Sequence, residues 1–168
     1  MNTIDETNQP NLEYRDSWGR LTRVFIHMMT AFLWAERSLD PRLKVGAVIT
    51  TFDLRRVLSV GYNGPARGVD HSIISAVPGQ SNCLHAEDNA IAFVNSTIPD
   101  KVMFVTDQPC HTCSQRIINA DIQTVYYARK YRDESGVELL RKQKVNVIHL
   151  HMPYLAEMAA NIGTMPKM

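Results

Sequence analysis

Val102-Met103-Phe104-Val105-Thr106-Asp107-Gln108-Pro109-Cys110-His111-Thr112-Cys113 passes from a strand to the start of a helix within twelve residues. The apolar run at 102–105 predicts a strand. Pro109 suits the first turn of the helix expected from about Cys110 to Ala120, because its fixed φ is already helical. A strand is predicted next at Thr124-Val125-Tyr126-Tyr127, then a charged helix from Glu134 to Lys144 and a short strand from Val145 to Ile148. Strands separated by helices in this way run parallel, with the helices laid over the sheet.

Upstream, Val45 to Thr51 and Val57 to Gly61 are separated by Phe52-Asp53-Leu54-Arg55-Arg56, which predicts an antiparallel hairpin and makes the sheet mixed. From Trp18 to about Arg37, Leu21, Phe25, Met28, Phe32 and Ala35 recur at helical spacing, with Val24 and Ala31 beside them. Asp16 or Ser17 could cap that helix, and Leu39-Asp40-Pro41 ends it. Turn residues from Tyr62 to Gly68 open a loop reaching about Ser81. Further helices are expected from His85 to Val94 and from Tyr154 to Ile162. The expected fold is a three-layer α/β/α sandwich with a mixed five-stranded sheet. Residues 1–15 read as a disordered or extended lead-in, and 16–168 as one domain.

The chain has 168 residues, 45% hydrophobic and 21% charged, which is the balance of a globular protein. Its net charge of +1 gives no broad basic surface for nucleic acid or membrane. The polar start, Met1 to Asn11, is neither a secretory signal nor a membrane span, so residence in the cytoplasm is expected. Without a signal, the sequon Asn95-Ser96-Thr97 is incidental. Cys83 reads as a buried, unreactive thiol, and His27 as a partnered core or surface histidine.

Two segments carry chemistry: Cys83-Leu84-His85-Ala86-Glu87-Asp88-Asn89-Ala90, and Gln108-Pro109-Cys110-His111-Thr112-Cys113. In a reducing compartment the Cys-x-x-Cys spacing means metal or redox chemistry rather than a structural bridge. Cys110 and Cys113 are three apart, so both sulfurs fall on one face of a first helical turn, where the helix dipole favours thiolates. With His85 they make three zinc ligands and leave a fourth position open to water. Glu87, two residues beyond His85, can stand beside the metal without ligating it and carry protons. The His-x-Glu and Pro-Cys-x-x-Cys pair resembles the signature of zinc-dependent nucleobase deaminases. His111 reads as a solvent-facing spacer. A zinc-stabilised binding module would need a fourth protein ligand, Cys83 or His111. A thioredoxin-like Cys-x-x-Cys would leave His85-Ala86-Glu87 unexplained.

Further motifs narrow the resemblance. Arg37-Ser38, Val45-Gly46-Ala47-Val48-Ile49, Gly61-Tyr62-Asn63-Gly64-Pro65-Ala66-Arg67-Gly68 and Tyr131-Arg132-Asp133 flank the two chemical segments in order. Together, from Trp18 to Asp133, they resemble the deoxycytidylate (dCMP) deaminase family. That resemblance implies a cytidine deaminase-like fold and hydrolysis of dCMP to dUMP, a step toward thymidylate. It implies phosphate binding by Arg37, Tyr131 and Arg132, and a sugar contact from Asn63; a turn-forming Asn-Gly explains Asn63 equally well. It implies a hexamer activated by dCTP and inhibited by dTTP. The matching effector positions are Tyr62, Asn63, Gly64, Asp88, Asn89 and Phe93, with Arg42, Lys44 and Arg67 as local cations. Asp88 suits a triphosphate only through a magnesium ion. Another base-bearing substrate (dCTP, cytidine, or an adenosine in RNA) is the alternative. The stretch Val69–Asn82 has no Cys or His other than His71, so the second zinc of some relatives is not expected. Ser114 stands where the family often has Ala. Tyr154 and the methionines Met152, Met158, Met165 and Met168 read as packing or interface.

Overall fold

The computed structural model describes residues 14–77, 79–95 and 97–152. Its elements in chain order are α1 (Arg23–Ala35), β1 (Gly46–Thr50), β2 (Val57–Tyr62), a 3-10 turn (His71–Ile73), α2 (Ala86–Ala92), β3 (Lys101–Asp107), α3 (His111–Asn119), β4 (Ile122–Arg129), α4 (Ser135–Lys142) and β5 (Asn146–His149). The strands form one sheet in the order β2-β1-β3-β4-β5. β1 is antiparallel to β2 and to β3, whereas β3, β4 and β5 are parallel. The mixed five-stranded sheet is the one expected.

Side chains alternate across the strands and sort into two cores. Ala47, Ile49, Met103, Val105, Val125 and Tyr127 pack with Ala86, Ala90, Ile117 and Leu140, from the side of α2, α3 and α4. Val48, Val102 and Phe104 pack with Met28 and Ala31 of α1 and with Leu150. The three layers follow from this division. β3, between β1 and β4, is buried at every position except its last, Asp107. That accounts for its unbroken apolar run, because both of its faces are covered.

Two glycines set how closely the helices approach. A Cβ on Gly46 would run into the Ala31 carbonyl and the Ala35 amide of α1. A Cβ on Gly61 would run into the Ala86 carbonyl and the Ala90 amide of α2. Each helix therefore rests directly on strand backbone.

The first helix begins at Arg23, not Trp18. Asp16 does not cap a helix; its Oδ1 accepts from the Trp18 and Arg20 amides, each at 3.0 Å, and its Oδ2 pairs with Arg20. Gly19, at φ 76°, completes this turn, and Leu21 bridges back to Arg15. A short acidic side chain satisfied nearby amides before a helix could use it. Trp18 is left 81% exposed. The predicted loop from Tyr62 also contains the 3-10 turn, capped by Asp70, which accepts from the Ser72 amide at 2.7 Å. His27 is the partnered core histidine expected: its Nε2 donates to the Leu54 carbonyl at 3.0 Å and its ring lies against Phe104. The expected helix from Tyr154, the methionines beyond Met152 and most of the lead-in lie outside the described residues.

Candidate active site

β3 delivers Asp107, Gln108 and Pro109 to the start of α3, where Cys110 is the N-cap residue. His85 is the N-cap residue of α2. Neither side chain caps its own helix, so both are free to converge. His85 Nδ1 lies 3.6 Å from Cys110 Sγ and 3.3 Å from Cys113 Sγ. All three candidate ligand atoms fall within 4.8 Å of one another. Ligands about 2.0–2.3 Å from a tetrahedral zinc would have their nitrogen and sulfur about 3.6 Å apart, so the spacing and donor types fit that metal. Among the described residues this is the one such cluster of His, Cys, Asp or Glu side chains.

The three groups also perturb one another's acidity. A hydrogen bond from the Cys113 side chain, with smaller help from His85, holds the Cys110 thiol down at about 3. The same contact, with burial, pushes Cys113 up. The hydrogen bond with Cys110 lifts His85 to about 9.

Glu87 sits in the first turn of α2, only 4% exposed, and burial raises its carboxyl to about 7. It lines a cavity of about 290 Å³ together with His85 and Cys110, with Asp40, Arg42, Asn63, Gln108 and Tyr131 also on its walls. A concave space with convergent polar groups beside a metal-type cluster is where a small ligand would meet the reactive groups.

Comparison with known proteins fits this geometry. The family described as cytidine and deoxycytidylate deaminase zinc-binding region matches residues 23–129. The chain belongs to that family. It is a hydrolytic deaminase. Human deoxycytidylate deaminase is 35% identical over 124 residues, spanning 68% of this chain and 69% of the human protein. A probable deoxycytidylate deaminase of Caenorhabditis elegans is 36% identical over 146 residues, spanning 83% of this chain and 72% of its own. The dCMP deaminase of cyanophage S-TIM5, solved in complex with dCMP and dUMP, superposes with a TM-score of 0.64 at 31% identity, covering 75% of this chain and 95% of the phage chain.

The substrate-side residues of this deaminase are more scattered. Tyr131 lines the cavity, but Arg37 and Arg132 are exposed and are not among its lining residues. Arg132 lies 6.0 Å from the Tyr131 ring centre. Asn63 lines the cavity with its amide already engaged: Oδ1 accepts from the Val45 amide at 2.8 Å, and Nδ2 donates to the Leu43 carbonyl at 2.8 Å and to Asp40 at 3.3 Å. It is a buried clamp as well as a turn residue.

The effector candidates are spread over several elements. Tyr62 stacks on Trp34 with ring centres 6.4 Å apart, and Asn89 Nδ2 donates to the Tyr62 carbonyl at 2.8 Å. Gly64 bridges to Leu84. Arg67 is exposed, as is Phe93, while Lys44 pairs with Glu36 at 2.8 Å. Asp88 is paired with Arg116. Arg42, expected among this set, instead lines the cavity.

Asp40 and Gln108 are cavity residues missed in the sequence. Asp40 was legible only as part of a helix stop. It is buried and accepts from the Arg42 amide at 2.8 Å, fixing the segment before β1. Gln108 Oε1 accepts from the Tyr131 amide at 3.3 Å and its Nε2 donates to the Asp133 carbonyl at 2.9 Å, holding the 131–133 segment. Cys83 is not a core thiol. It is half-buried on the cavity wall, and burial followed by the nearby Asp40 charge hold its thiol up. His111 is exposed, as a spacer should be.

Proposed function

We propose that this chain hydrolyses dCMP to dUMP and ammonia, using zinc held by His85, Cys110 and Cys113 and proton transfer by Glu87. The observation that carries this reading is that buried Glu87 lines the same cavity as His85 and Cys110, two of the three clustered ligands. Zinc in a three-ligand site leaves one position for water and brings that water's acidity near neutral pH. Glu87 takes a proton from the attacking water and passes it to the ring nitrogen, then takes the proton of the newly added hydroxyl and passes it to the amine, which departs as ammonia. Its burial keeps that proton traffic out of bulk solvent. The names of the human and nematode relatives, and the ligands of the phage enzyme, support dCMP as the substrate.

Arg37, Tyr131 and Arg132 bind the phosphate in this reading and Asn63 meets the sugar. Guanidinium groups suit phosphate oxygens because their donors match in pairs. Tyr131 and Asn63 on the cavity wall support this assignment. The whole of 16–168 acts as one deaminase domain, in the cytoplasm and as a hexamer. dCTP activates it and dTTP inhibits it, through Tyr62, Asn63, Gly64, Asn89 and Phe93 with Arg42, Lys44 and Arg67, and magnesium accompanies the triphosphate. The Asn89 hydrogen bond to the Tyr62 carbonyl, which ties two of these positions together, and the exposure of Phe93 support this assignment. Among the described residues no helix is long and apolar enough to cross a membrane.

A turnover assay across dCMP, dCTP, CMP and deoxycytidine, with and without dCTP and dTTP as effectors, tests the reading. dCMP is expected to give the highest kcat/KM. Deoxycytidine turned over as efficiently as dCMP would overturn phosphate recognition while leaving the deaminase chemistry intact.

A further inference from the structure

We infer that Asp88 and Arg116 form a clamp that positions the metal centre, so that Asp88 serves this centre rather than a nucleotide effector. The inference rests on the reading of His85, Cys110 and Cys113 as a zinc site. Asp88 lies three residues after His85 on α2, and Arg116 three residues after Cys113 on α3. Residues three apart share a helix face, so each member of the pair stands about one turn deeper than a ligand. Arg116 Nη1 pairs with Asp88 Oδ2, joining the two ligand-bearing helices directly. The other carboxylate oxygen, Oδ1, lies 3.9 Å from Cys113 Sγ. One carboxylate therefore reaches both the helix-to-helix tie and a ligand atom.

Charge explains why both partners are needed. As a metal ligand Cys113 is a thiolate, and an unpaired carboxylate beside it would repel it. Arg116 neutralises Asp88, so the tie between the two helices can stand beside the Cys113 thiolate with less repulsion. The Asp88 side chain is 13% exposed and Arg116 49%. The acidic end is thus shielded from solvent, unlike that of a freely exposed surface ion pair. Groups that hold metal ligands from behind in this way change metal affinity by roughly 10–100-fold when removed.

The test uses the full chain loaded with zinc, with Arg116→Ala, Asp88→Asn and the double variant beside it. Zinc affinity is read by competition with a chromophoric chelator, and the thermal midpoint is taken at saturating zinc. Each single variant is expected to bind zinc roughly tenfold or more weakly. The double variant is expected to be no weaker than the poorer single, with midpoints at saturating zinc close to the unaltered chain. If Arg116→Ala does not fold, Asp88→Asn keeps the side-chain shape and gives the same reading. Folded single variants with zinc affinity within twofold of the unaltered chain overturn the clamp. So does an Asp88→Asn protein that loses its dCTP response while holding zinc normally. An unaltered chain that binds no zinc overturns the metal-site reading itself, which separates the two failures.

Discussion

His85, Cys110 and Cys113 are carried on the first turns of two helices seated against the sheet, whereas Arg37 and Arg132 stand on exposed side chains away from the cavity lining. Backbone packing fixes the first group. Gly61 lets β2 touch α2 directly, and Gly136 does the same for α4 against Pro109 and Cys110. The arginines have no comparable constraint. A metal needs its ligands placed to within fractions of an ångström, so the fold must fix them. A phosphate can be met by long side chains that arrive with it.

The metal end should therefore break abruptly and the phosphate end by degrees. Cys113→Ala, or removal of metal by a chelator, is expected to abolish deamination, with added zinc restoring only the chelated protein. Turnover persisting in demonstrably metal-free protein would break the comparison at its root. Glu87→Ala is expected to keep one zinc per chain, measured by atomic emission, while kcat falls roughly 10²–10⁴-fold. Near-normal turnover in that variant would remove Glu87 from the mechanism.

Gly61→Ala tests whether seating matters. The added methyl meets the α2 backbone, so urea unfolding should show a loss of about 1–3 kcal/mol together with weaker zinc retention. An unchanged zinc affinity would mean that α2 tolerates displacement. Arg37→Ala should raise KM for dCMP roughly tenfold and leave deoxycytidine turnover unchanged, consistent with loss of one charged hydrogen bond. A larger effect from Arg42→Ala would move the phosphate contact onto the cavity wall. Smallest of all, Ser114→Ala is expected to be neutral or to stabilise by up to about 1 kcal/mol, because the buried Ser114 hydroxyl finds no partner among the described residues. A clear loss of stability on calorimetry would show that this hydroxyl is used.

The metal end was legible in the sequence because its geometry is local. Three-residue spacing at a helix start brings Cys110 and Cys113 together whatever surrounds them. The sheet was legible for a similar reason: apolar runs and short connections leave few arrangements open. The cavity walls were harder to read. Asp40 and Gln108 act through hydrogen bonds to backbone, and which backbone lies near is decided only by tertiary packing. Arg42 looked like one more local cation until the fold turned it toward the cavity. Lys101 shows the limit well. It is fully buried at the start of β3, with Nζ donating to the Ile98 carbonyl at 2.5 Å, and nothing in its neighbours announces this. The false start of α1 is the opposite case, where Asp16 was a real stop-and-turn signal read as a cap.

Gly46 and Gly61 lie on paired strands, beside Tyr62 and Ala47 respectively, with α1 pressed on one face and α2 on the other. At that point α1 lies directly on the backbone of β1 and α2 directly on the backbone of β2. Neither contact leaves room for a side chain, so these two positions fix how closely α1 and α2 sit on the sheet and, through α2, where His85 and Glu87 stand.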